Sequence, residues 1–139
     1  MNPLKKFTTY FCLVSFLTGV FLWPSITLAV NLPEVKPDQG LVIFYRLSGF
    51  KGKAIRFNLN DAEGSVGQLL SGTYLYKFLP PGQHQFWSQA ISQDSITINV
   101  EAGKKYYVKG EVAMGVFAGR PKFIQMPEVD ALTDLSKLK

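Results

Sequence analysis

From residue 40 onward the chain is a series of short β-prone runs broken by turn residues every eight to twelve positions. The runs are 41–46, 54–59, 66–70, 73–78, 83–89, 95–100, 105–112 and 121–126. They are rich in Val, Ile, Phe and Tyr, which suit a pleated, half-buried surface. Several alternate: Ile55, Phe57 and Leu59 fall on one side of their run, and Ile96, Ile98 and Val100 on one side of theirs. Tyr74, Tyr76 and Phe78 likewise share a face. Turn residues separate the runs: Gly49 and Gly52, the 60–64 stretch, Ser71-Gly72 read as a hairpin turn, Pro80-Pro81-Gly82, and Ala102-Gly103. No helical period of ten residues lies between any two runs, which argues against a parallel βαβ fold. The pattern predicts an all-β domain, an antiparallel β-sandwich of seven to eight short strands.

The chain has 139 residues, 47% of them hydrophobic and 18% charged. That is one domain's length, too apolar and too weakly charged for a disordered chain. One Cys excludes a disulfide framework and a Cys-based zinc site, and one His excludes a multi-His metal site. No cofactor is expected.

The N-terminus reads as a segment apart. Lys5 and Lys6 precede an uncharged stretch, 7–33, whose 7–23 portion is rich in Phe, Leu and Val and is ended by Pro24. Thr27 and Ala29 place small residues before a cut after Ala29, the layout of a secretory signal peptide over 1–29. The competing expectation is an uncleaved membrane anchor, since 7–29 reaches the lower limit of a bilayer span. Either way the basic N-terminus stays inside and the rest is exported, to a periplasmic or extracellular location. Cys12 lies within the apolar run after Tyr10 and Phe11, so it does not read as a lipidated Cys. Removing 29 of the 139 residues leaves 110, enough for a core without staples. Lys5 and Lys6 leave with it, so 13 basic residues of the 15 face 10 acidic ones, a net charge of +3. That is too mild for a nucleic-acid footprint.

Residues 30–39, with Pro33 and Pro37, read as an extended linker, and 40–126 as the sandwich domain. In 127–139, Pro127 suits a first helical position, and Glu128 and Asp130 suit the first turn. Val129, Leu132, Leu135 and Leu138 step by three, so a short amphipathic C-terminal helix is expected, covering the sheet or one of its edges.

Four strings carry a family resemblance: VIFYRLSGFKG (42–52), LPPGQHQF (79–86), EAGKKYYVK (101–109) and GRPKF (119–123). In this order and spacing they resemble a bacterial cell-envelope domain of unknown function found in secreted proteins and lipoproteins. That family runs Tyr-Arg-Pro-Ser, Pro-Pro-Gly-x-His, Ala-Gly-x-x-Tyr-Tyr-Val and a late Gly-Arg-Pro. The likeness extends from Leu41 to about Met126 and departs at Leu47, where the family has Pro. It implies an envelope location and an all-β fold, and it brings no catalytic residues. The Pro-Pro-Gly-x-His hairpin is also similar to those of transthyretin-like and PEGA-type sandwich domains.

Few residues offer chemistry. His84 opens a strand after a turn and reads as a structural hydrogen-bonder, with no Gly-x-Ser-x-Gly nucleophile motif to pair with it. Residues 58–64 have the composition of a calcium loop without its ligand spacing, and read as a solvated turn. Arg46 offers a fork for a carboxylate or phosphate, or else pins its own loop to a nearby Asp. The 113–119 loop has an apolar tip, Met114, Val116 and Phe117, flanked by Arg120 and Lys122. It either touches a partner or a membrane, or folds back on the sandwich. Tyr106 and Tyr107 are adjacent, so one leaves the core-facing side, and Tyr107 is taken as a contact residue if the outer face is uncovered.

The candidate binding residues are therefore Arg46, Met114, Phe117, Arg120 and Tyr107, with no catalytic or metal-binding set. The expected function is an exported, non-catalytic module that binds an envelope protein or polysaccharide. The alternatives are a membrane-anchored structural protein and a carboxylate-based hydrolase, which a close carboxylate pair in a cleft would revive.

Overall fold

The computed structural model describes residues 30–49, 52–89, 93–114 and 119–138. The expected signal peptide and Phe117 lie outside those residues. In chain order the elements are β1 (Gly40–Tyr45), β2 (Phe57–Asp61), β3 (Gly64–Leu69), β4 (Tyr74–Leu79), β5 (Gly82–Gln89), β6 (Gln93–Val100), β7 (Lys105–Met114), β8 (Gly119–Met126) and α1 (Glu128–Leu135). The strands form two four-stranded sheets, β4-β1-β7-β8 and β3-β2-β5-β6. The fold is a β-sandwich with one short C-terminal helix.

All strand pairs are antiparallel except β1–β7, which is parallel. Ser71-Gly72, expected as a hairpin turn, instead links β3 of one sheet to β4 of the other. Gly72 adopts φ 79° there, a conformation glycine takes at little steric cost. Spacing alone does not separate a hairpin from a crossover, because both need a tight turn. The second strand begins at Phe57 rather than 54, because the chain from Gly52 to Ile55 turns under the Arg46 side chain.

The two faces of the first sheet explain why β1 reads as unbroken apolar sequence. Val42 and Phe44 point between the sheets, joining Val108 and Phe123 against Phe57, Leu59, Leu69, Phe86, Ile98 and Val100. Phe44 meets Phe86 edge-on, with ring centroids 4.8 Å apart, a favoured aromatic geometry. Leu41, Ile43 and Tyr45 point the other way, onto Ala131, Leu135 and Leu138. Val30, Leu32 and Val35 pack against the same outer cluster, so the expected linker is docked rather than free. A strand covered on both faces carries no alternation.

The helix forms where expected, with Pro127 at its cap and Glu128 and Asp130 in its first turn. Its buried face differs from the expected one. Ala131, Asp134 and Leu135 are buried, while Val129 is 76% exposed and Leu132 45%. At 3.6 residues per turn, a step of three falls short of a full turn by about 60°. Two such steps already set Val129 about 120° away from the buried Leu135.

Candidate functional site

The region that brings functional side chains together is the end of the sandwich where β1 leaves β7. Their register stops at Tyr45 opposite Lys109, while β7 continues alongside β8 to Met114 opposite Gly119. After Tyr45 the chain follows β4 instead. The Arg46 N–H donates to the Thr73 carbonyl, and the Gly72 N–H donates to the Arg46 carbonyl. A cleft of about 230 Å³ opens in the gap, lined by residues 46–49 on one side and 109–112 on the other.

Arg46 is the buried cation of this cleft, only 4% exposed. Its two terminal nitrogens donate to the carbonyls of Ile55 and Gly52, and its guanidinium lies over the Phe57 ring, 4.6 Å from the centroid. Gly110 makes room for that stack: a Cβ there would stand 3.2 Å from the Phe57 ring and 3.0 Å from Leu69. Arg46 does pin its own loop, but through carbonyls and not through an Asp. Among the described residues no Asp or Glu side chain forms an ion pair with it. Burial pulls its pKa below the usual arginine value.

Lys109, on the opposite wall, is shared between Glu111 at 3.1 Å and Asp134 at 3.2 Å. Asp134 also accepts from the Tyr45 hydroxyl at 3.2 Å and pairs with Lys137 at 3.1 Å. Burial alone would raise the Asp134 pKa, but hydrogen bonds from Lys137, Lys109 and Tyr45 hold it below the usual carboxylate range. For Lys109, burial lowers the pKa, and bonds to Glu111 and Asp134 reverse this and raise it. Asp134 thus ties α1 to the sheet beside the cleft.

The other expected site residues divide. Met114 is 70% exposed at the end of β7, and Arg120 is exposed beside it on β8, opposite Ala113. The loop end of this hairpin packs on the Arg46 loop, since a Cβ on Gly119 would overlap Ile55. Arg46, Met114 and Arg120 therefore share one end of the molecule. Tyr107 does not join them. It is 2% exposed beneath α1, donating its hydroxyl to Glu128 at 2.9 Å. The outer face is covered, which removes Tyr107 as a contact residue. Burial, then the Glu128 contact, raises its pKa well above the usual tyrosine value.

The remaining chemical groups hold the fold. His84 Nε2 lies 2.9 Å from the Pro80 carbonyl. Asp61 accepts the Glu63 N–H at 3.0 Å across the β2–β3 turn, and Lys77 from the other sheet pairs with Asp61 at 2.5 Å and Glu63 at 2.6 Å. Asp94 accepts the Phe123 N–H at 2.6 Å, tying β6 to β8. Sequence reasoning missed Lys77, Asp94, Lys109 and Asp134. Their partners lie far along the chain, and no local pattern marks them. Among the described residues no three His, Cys, Asp or Glu side chains gather as a metal site would.

Residues 36–121 match the model of a family described as a protein of unknown function, DUF2846. The chain belongs to this family. A relative in Haemophilus influenzae, described as an uncharacterized protein, is 32% identical over 107 residues, 76% of this chain. The aligned region spans 62% of that protein, less than two thirds of its length. The DUF2846 match takes in β1 to β7 and the cleft, and it stops before α1. Here α1 and the 30–35 segment, both outside the matched span, supply the cover over Leu41, Ile43, Tyr45 and Tyr107.

Proposed function

We propose that this DUF2846 protein is an exported, non-catalytic module of the cell envelope that works by binding an envelope protein or polysaccharide. The observation that carries this reading is where the reactive groups are used. Seven of the ten carboxylates and the single His make contacts within the fold. The carboxylates that approach one another do so around a lysine, Asp61 and Glu63 at Lys77, Glu111 and Asp134 at Lys109. A carboxylate-based hydrolase needs two carboxyl groups free to exchange protons across a substrate, and these are held as charge partners instead. What stays accessible is the end of the sandwich where the Arg46 cleft opens, beside Met114 and Arg120. Export rests on the basic start, the apolar 7–23 run and the small residues before position 30.

Cell fractionation with intact-mass measurement tests the export half. A soluble envelope species beginning at Val30 is expected. A full-length mass in the membrane fraction would favour the anchored alternative, and a full-length cytoplasmic protein would overturn both. For the binding half, crosslinking in that compartment is expected to capture an envelope component through residues near Arg46 and Met114. Crosslinks confined to other faces would move the site.

A further inference from the structure

We propose that the cleft between residues 46–49 and 109–112 is a binding site for a carboxylate group, received by the Arg46 guanidinium. This deepens the binding-module reading and rests on it. A guanidinium carries five N–H donors in a planar fork. Two bond the Gly52 and Ile55 carbonyls, and the rest have no partner among the described residues. A cation this deeply covered is normally paired with an anion, yet none of the ten Asp and Glu side chains pairs with it. The two carbonyls and the Phe57 face fix the guanidinium in place, so little side-chain freedom remains to be lost when a ligand arrives.

Charge selects a singly charged group. Among the described residues Arg46 is the one uncompensated cation lining the cleft, because Lys109 is shared by Glu111 and Asp134. A dianionic phosphate would set its second charge against Glu111, which also lines the wall. A planar carboxylate matches both the single charge and the fork. A volume of about 230 Å³ takes a carboxylate and the residue that bears it, not a folded surface. A free small acid and the C-terminus of an extended peptide share this chemistry.

The test is a nuclear magnetic resonance titration of the folded protein with acetate and with an N-acetylated tripeptide bearing a free C-terminus. The amide of the same tripeptide and inorganic phosphate serve as controls. Saturable shifts at the amides of 46–49 and 109–112 and at Arg46 Nε–H are expected with the acids and not with the amide. A response to acetate and tripeptide alike points to a small acid, and a tighter tripeptide points to a peptide end. No shift, an equal response to the amide, or an equal response to phosphate would overturn the site. Arg46→Lys should weaken binding at least ten-fold. Because that change also disturbs the loop, Glu111→Gln supplies an independent check. It removes the opposing charge and should tighten binding about two- to five-fold, and unchanged or weaker binding would count against the site. Envelope crosslinking without any carboxylate response would discard this site and keep the wider reading. A carboxylate response in a protein that is neither exported nor crosslinked would do the reverse.

Discussion

Arg46 is built into the core as much as it faces the cleft. Removing its side chain leaves the Ile55 carbonyl without a donor, leaves the Gly52 carbonyl with the Ile55 N–H alone, and uncovers one face of Phe57. The stranded Ile55 carbonyl costs about 1–3 kcal/mol, and the lost cation–π contact adds about 1 kcal/mol. Arg46→Ala is therefore expected to destabilise the fold by roughly 2–4 kcal/mol, seen as a lower midpoint in urea denaturation with the slope unchanged. A change below about 0.5 kcal/mol would mean that the guanidinium holds nothing. Gly40 is constrained by close approach rather than by a special backbone conformation. A Cβ there would overlap Val100 and stand 2.8 Å from the Glu101 carbonyl oxygen. Gly40→Ala should cost about 1–3 kcal/mol as overpacking. Gly82→Ala meets no neighbour within 4 Å, so its cost should come from φ 137° alone. Comparing the two urea midpoints separates packing from backbone strain.

At the scale of elements, α1 and the 30–35 segment turn a two-layer sandwich into a three-layer one. Leu135 is 2% exposed against Ile43 and Tyr107, whereas Val129 stands in solvent. Leu135→Ala should cost about 2–4 kcal/mol, and Val129→Ala less than about 0.5 kcal/mol. Stepping by three would assign the two residues the same role, so equal costs in thermal melts would restore that reading. The helix is held by polar contacts as well, Tyr45 and Lys109 on Asp134, and Tyr107 on Glu128. The sequence shows that a helix forms at this end, through its proline, its acidic first turn and its apolar content. Which side it buries depends on where the surface of β1 and β7 lies.

Over the whole molecule, pH dependence follows from these contacts. Tyr45 and Tyr107 are pushed above their ordinary values chiefly by burial, with Asp134 and Glu128 adding to it. Both stay protonated in the folded chain where the unfolded chain begins to ionise. The folded state then binds more protons, so stability should fall as pH rises above about 10, the ordinary tyrosine value. On the acid side, Asp134 titrates below its unfolded value. Its contribution is present above about pH 4 and is lost as pH falls through the folded value. Circular dichroism melts across pH should show a plateau between these limits. Tyr45→Phe with Tyr107→Phe should flatten the alkaline slope, and a slope unchanged in that double variant would place its origin elsewhere.

The eight runs and their breaks are legible because side-chain alternation and turn chemistry are local, set by neighbours about one to four positions apart. So are the terminal helix, the structural use of His84 and the bonding of Arg46 to its own loop. Sheet membership is not legible. Whether β3 and β4 pair or cross between layers depends on where the remaining strands go, and the parallel β1–β7 pair joins Leu41 to Lys105, far apart in the chain. The cleft belongs to the same class. It exists because β1 parts from β7 after Tyr45, and that parting is a property of two strands rather than of either one. The sequence by itself determined the elements and the class of fold, since short-range sterics and periodic burial act within each run. Only the tertiary structure decided which faces are covered, which charges meet and where a ligand has room, because those depend on contacts between residues that the chain order keeps apart.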